Sequence, residues 1–167
     1  MDLYPWIVFV HAAGILLFFI AHGVSMSVAF RLKRERDPAR VRMLLDLSSL
    51  SLGVAPSIAF IVGLIAGIAA GIMGGWFGQA WIWVSLVLLV LISGAMTPMV
   101  ASRLNAIRAA AGTRAMNPFS RKPPAPPPDP DPRELERLLA AWNPAPSAIM
   151  GFGGFLTILW LMFFKPF

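Results

Sequence analysis

Two histidines and a handful of methionines are the side chains in apolar stretches of this sequence whose chemistry could hold a metal or a prosthetic group. His11 and His22 fall eleven residues apart in the uncharged stretch from Tyr4 to Phe30. On a helix that separation is about three turns, so both imidazoles leave nearly the same side at two depths, roughly 16 Å apart along the axis. Met26 follows His22 by one turn; a later apolar stretch carries Met96 and Met99, and the last one carries Met150. Counted from the nearest basic residue, His22 and Met26 lie nine and five residues from Arg31, and Met96 and Met99 lie seven and four from Arg103. A bundle would bring them to one layer.

Two chemistries suit that layer. Haem iron accepts His with Met as well as His with His, which makes His22 a candidate axial ligand of a b-type haem and His11 of a second haem at a different depth. Two histidines on one helix make two bis-histidine sites only if a parallel dimer supplies their partners. Imidazole and thioether are also soft donors suited to Cu(I), with His22, Met26, Met96 and Met99 as the cage. A plainer reading stands beside both: an uncharged histidine hydrogen-bonds across the bundle to a freed carbonyl or to Ser51, Ser93 or Thr97, and methionine fills gaps in the core.

Other chemistries lack their residues. Every Asp and Glu lies in a loop or at a span end, so paired-carboxylate hydrolysis and a membrane proton relay have no intramembrane acids. There is no Walker loop, G-x-S-x-G elbow or H-E-x-x-H helix. With no cysteine, disulfides, thiolate metal sites and covalent c-type haem attachment are excluded. The pattern reads as non-enzymatic.

The elements that must position these residues follow from hydropathy. A chain that is 57% hydrophobic and 13% charged is too apolar for a soluble domain of 167 residues. Spans are expected at about 4–30, 47–74, 81–101 and 147–164, since about 20 apolar residues cross a bilayer. The first does not read as a removable signal peptide, because it has no basic leader and ends in the basic run RLKRERDPAR. Asp37 and Pro38 after it should start a short interfacial helix turn. In the second span Ala55, Ala59, Gly63, Gly67, Gly71 and Gly75 recur at every fourth position, a row that lets another helix approach backbone to backbone. It serves packing within the chain or association with a second copy. Pro56 falls within the first turns or makes a kink that frees the carbonyl of Leu52, and Pro98 predicts a kink that frees the carbonyl of Gly94. Trp76, Trp81 and Trp83 form an interfacial belt around a tight connection at 74–80.

Residues 109–146 form a cytoplasmic loop. Its tract PPAPPPDPDP at 123–132 predicts an extended polyproline-type spacer or a disordered one, followed by an amphipathic helix at 132–142 capped by Asp131, with Leu135, Leu138, Leu139 and Trp142 on one side. That helix should lie on the membrane surface or against the bundle. Thirteen of the 14 Lys and Arg fall in two loops, six between the first two spans and seven between the last two, leaving Lys165 on the other side. The net charge of +6 is thus a topology signal and not a nucleic-acid surface.

The opening W-I-V-F-V-H-A-A-G-I, its His11-x-x-Gly14 turn and the basic run that ends the span resemble an uncharacterised bacterial family of integral membrane proteins. That family is related to the membrane domain of copper-resistance protein D and to the four-helix membrane protoporphyrinogen oxidase. The resemblance implies the bacterial cytoplasmic (inner) membrane, and it implies haem binding at the position matching His11.

The expectation is a single membrane domain over 1–167: an all-α, four-transmembrane-helix bundle, N-out and C-out, with a short amphipathic cytoplasmic helix. Its role is structural or the binding of a prosthetic group through the first helix. Alternatives are a b-type haem redox protein, a Cu(I)-binding membrane protein, and an accessory subunit of a larger complex. The bilayer is the expected partner, with a homo-oligomer or larger membrane complex as a further one.

Overall fold

The computed structural model describes residues 2–51, 53–116 and 126–167, without the side chains of Leu50, Ser51 and Thr97. The described residues are helical and contain no strand. Six helices follow one another: α1 (Tyr4–Arg34), α2 (Pro38–Ser51), α3 (Val54–Met73), α4 (Ala80–Ala110), α5 (Pro132–Ala141) and α6 (Ala145–Phe164). A 3₁₀ turn at Trp76–Gly78 joins α3 to α4. Helix α1, the run α2–α3, α4 and α6 provide four segments long and apolar enough to cross a membrane. The chain is a four-helix bundle of a multi-pass membrane protein, with many large apolar side chains exposed along all four, as lipid-facing surfaces require.

Local chemistry explains the ends. Helix α1 closes with Arg31, Lys33 and Arg34 in its last turn, where cations favour the negative end of the helix dipole. The next turn is held by the Glu35 carboxylate, which accepts from the backbone N–H of Arg36 and of Asp37 at 2.9 and 3.0 Å. Those two donors, Asp37 foremost, hold its pKa below the ordinary value. Asp37 then accepts from the Ala39 N–H at 2.9 Å and opens α2 at Pro38.

The expected second span is two helices. Residues 47–51 belong to α2, and α3 begins at Val54 after Gly53, whose backbone is extended. Pro56 then falls in the first turn of α3, where its missing N–H has no intrahelical acceptor to lose. Helix α4 runs through Pro98 to Ala110, nine residues past the apolar span. The chain reverses there at Gly112, which has φ 73°, the left-handed backbone that glycine adopts without strain.

Packing falls into three levels. At the end where Tyr4, Trp76 and Lys165 meet, Trp81, Ile82 and Leu161 form a small cluster; Trp76 Nε1 donates to the Tyr4 hydroxyl at 3.1 Å, and the Lys165 Nζ lies 3.7 Å from the Trp76 ring centroid. In the middle, helices meet through glycines and aromatic rings. At the opposite, basic end, α1, α2, α4 and α5 share a core containing Leu32, Val41, Leu45, Ile107, Leu135 and Leu139.

Helix α5 packs against the bundle, the second of the two places expected for it. Asp131 accepts from the N–H of Arg133 and Glu134, and the Trp142 indole donates to the Ala29 carbonyl of α1 at 3.0 Å. On its outer face, Arg137 donates two hydrogen bonds to the Glu134 carboxylate, which holds that carboxyl below the ordinary range. Of the proline-rich tract, residues 123–125 lie outside the described residues; 126–131 have no regular structure.

Candidate functional site

The small-residue row of α3 meets α1. A Cβ on Gly14 would stand 2.6 Å from the Ala59 carbonyl oxygen and 2.8 Å from the Gly63 Cα, and one on Gly63 would stand 3.1 to 3.3 Å from backbone atoms of Gly14 and Ile15. The two backbones therefore touch across Gly14, Ala59 and Gly63. Gly67, one turn on, leaves room for the His11 ring: its Cβ would fall 2.6 Å from Nδ1. Gly71 faces Phe77 and Ile82 near the start of α4. Ala55 is exposed and stands outside this contact, and Gly75 lies beyond α3 with φ 68° in the turn that follows.

In that seat His11 is hydrogen-bonded. Its Nδ1 lies 2.8 Å from the Gly63 carbonyl oxygen. A carbonyl only accepts, so Nδ1 carries a proton, and in the neutral ring Nε2 is the nitrogen with the lone pair.

His22 has the opposite situation. Its ring packs between Phe18, stacked at 6.2 Å between centroids, and Phe152 of α6, edge-on at 5.7 Å. Its Nε2 is sealed from the surface and has no hydrogen-bond partner. What faces Nε2 is Gly151 of α6 and Met96 of α4: an atom at the position of a Gly151 Cβ would lie 2.8 Å from Nε2, 3.1 Å from the Met96 Sδ and 3.1 Å from its Cε. An imidazole nitrogen and a thioether sulfur thus converge on the bare backbone of one glycine.

The structure brings His22 and Met96 together and leaves Met99 out. Met99 is 42% exposed, because three residues of helix turn it about 60° away from Met96, to the outer surface of α4. Met26 is buried at the edge of the basic-end core, one turn below His22, and Met150 is half-buried beside Gly151. Of the hydroxyls considered as partners for a histidine, the side chains of Ser51 and Thr97 lie outside the described residues, and Ser93 is exposed.

Gly151 and the two phenylalanines were not singled out from the sequence. The signal existed in M-G-F-G-G at 150–154: glycine in an apolar helix marks a close approach. Among the described residues there is no cluster of three or more His, Asp or Glu, so a hard or borderline divalent ion has no ligand set here. No family model matches the chain, and comparison with curated proteins and with solved structures finds no match.

Proposed function

We propose that this membrane protein binds Cu(I) within its bundle, through His22 Nε2 and Met96 Sδ. One observation supports this above the others: a sealed imidazole nitrogen without a hydrogen-bond partner, beside a thioether, across a glycine. Leaving a buried polar atom unpaired costs about 1–3 kcal/mol, and a bound soft ion removes that cost. Both donors are neutral, and the thioether is soft beside a borderline imidazole, a pair that favours a monovalent soft cation over Mg²⁺ or Ca²⁺ and, through the sulfur, over Zn²⁺. The residues fit a bare ion and not a macrocycle at this depth, since Nε2 has no open surface through which a haem could approach. Bound Cu(I) would supply a thiophilic, redox-capable centre inside the bundle. The chain's part is to orient the imidazole between two phenylalanine rings and to exclude water from it.

The test is metal content. Protein purified in detergent and loaded with Cu(I) under ascorbate should hold one copper per chain. His22→Leu and Met96→Leu should each lower affinity at least ten-fold, while Met99→Leu leaves it unchanged. Retention of stoichiometric copper in the His22→Leu, Met96→Leu double variant would remove the reading.

A second reading rests on His11. A histidine whose Nδ1–H is donated to a backbone carbonyl is held in the tautomer and orientation that a ligand Nε2 requires, and the ring is only half-buried. It takes up the haem binding that the resemblance implies for the position matching His11. A sharp dithionite-reduced absorption band lost in His11→Ala and kept in His22→Ala would favour it over copper.

A further inference from the structure

Arg108 lies near the basic end of α4 with 4% of its surface exposed. Its Nη2 donates to the Leu45 carbonyl and, at 2.7 Å, to the Ser49 hydroxyl, both on α2. No carboxylate stands within ion-pair distance of it: among the described residues the contact pairs are Arg40 with Asp37 and Arg137 with Glu134. Asp46 is near enough to act on it through space but makes no contact pair, and a buried guanidinium without a directly paired anion is costly.

Beside it is an open-mouthed cavity of about 370 Å³, lined by Asp46, Ser49, Arg108, Thr113, Arg114 and Met116 among others. Its far wall is built and not merely draped. After the reversal at Gly112, the Thr113 N–H donates to the Arg108 carbonyl at 2.8 Å. Asn105 then clamps Met116 from both sides, accepting from its N–H at 2.9 Å and donating to its carbonyl at 3.1 Å. Among the described residues the cavity thus has two guanidinium groups, two hydroxyls and one carboxylate, a formal balance of one positive charge.

We propose that this cavity seats the phosphate of an anionic phospholipid. The shared chemistry is a phosphate group, which guanidinium binds in a fixed fork. The balance of one positive charge matches a phosphodiester monoanion better than free phosphate, which carries nearer two negative charges at neutral pH. Asp46 disfavours the second charge. The surroundings also point to lipid: Met43, 65% exposed, lies one turn before Asp46 on the same face of α2, and Leu47, 45% exposed, adjoins it, so acyl chains have apolar surface to follow from the cavity.

Native mass spectrometry of the full chain, titrated in detergent with short-chain phosphatidylglycerol or phosphatidylcholine, tests this. One phosphatidylglycerol per chain is expected, at least ten-fold preferred over phosphatidylcholine. Arg108 is built into the fold, so the decisive variant is the exposed rim residue: Arg114→Gln should weaken phosphatidylglycerol binding about five-fold, the effect of one basic side chain at an anionic lipid surface. Arg34→Gln, outside the cavity, should not change it. Equal loss in Arg34→Gln would assign the binding to diffuse surface charge and overturn the site. Equal binding of phosphatidylcholine would overturn it too, and displacement by inorganic phosphate at matching concentration would replace the lipid with a soluble phosphate ligand.

Discussion

His22 and His11 sit on one helix, yet their nitrogens have opposite fates. Gly63 offers His11 a carbonyl, and a satisfied nitrogen needs nothing more. Gly151 offers His22 only Cα hydrogens, and Met96 offers a sulfur that is a poor hydrogen-bond acceptor but a good soft ligand. The prediction at this scale is Gly151→Ala. The added methyl would land 2.8 Å from Nε2 and 3.1 Å from the sulfur. It should abolish copper binding by filling the point of convergence, and lower stability by about 1–3 kcal/mol through overpacking. Metal analysis and thermal unfolding in detergent read the two effects separately; copper binding at wild-type affinity would place the ion elsewhere.

Among the elements, the α1–α3 pair depends on absent side chains. In lipid, apolar surface gains nothing by leaving its solvent, so contact between backbones must hold helices together. Glycines in this bundle therefore divide by position. Gly14→Ala would press a methyl into the Ala59 carbonyl and the Gly63 Cα, neither of which can swing aside, so α1 and α3 must separate. A loss of about 3 kcal/mol or more is expected, at the upper end of overpacking costs. Gly23→Ala and Gly153→Ala meet open space and should be neutral, or stabilising by up to about 1 kcal/mol from helix propensity. Thermal unfolding of the three variants in one detergent checks the contrast, and equal destabilisation by all three would refute it. Helix α5 obeys a different rule, since Leu135 and Leu139 bury apolar surface from water at the basic end.

The whole molecule is polarised along its axis. The basic residues and the largest water-excluded core gather at one end, and tryptophans with Lys165 gather at the other. By the positive-inside rule such a distribution predicts that the basic end lies inside. Because the chain has no cysteine, an introduced one is the only thiol. In intact cells an impermeant maleimide should label Phe167→Cys and not Arg36→Cys. Labelling of both from outside would overturn the four crossings or their direction.

Much of this organisation was legible in the residue order. Four apolar segments, the Asp131–Pro132 helix start and the four-residue recurrence from Ala55 to Gly71 are local patterns, set by desolvation of the backbone and by helix period, and neither needs a partner to be read. The partners themselves were not legible. His11 and His22 leave one face of α1, but that face meets α3 at one depth and α6 with α4 at the other, because packed helices cross and do not run in register. The small-residue row could have met a second copy; Gly14 decides for α1. Arg103 and Arg108 looked alike as charges ending a span, until the turn at Gly112 and the Asn105 clamp walled an open pocket beside one of them. Periodicity and hydropathy act within a single helix, and so the sequence alone determined which helices form. Which side chains converge depends on how those helices cross and how the chain folds back, and only the tertiary structure decided that.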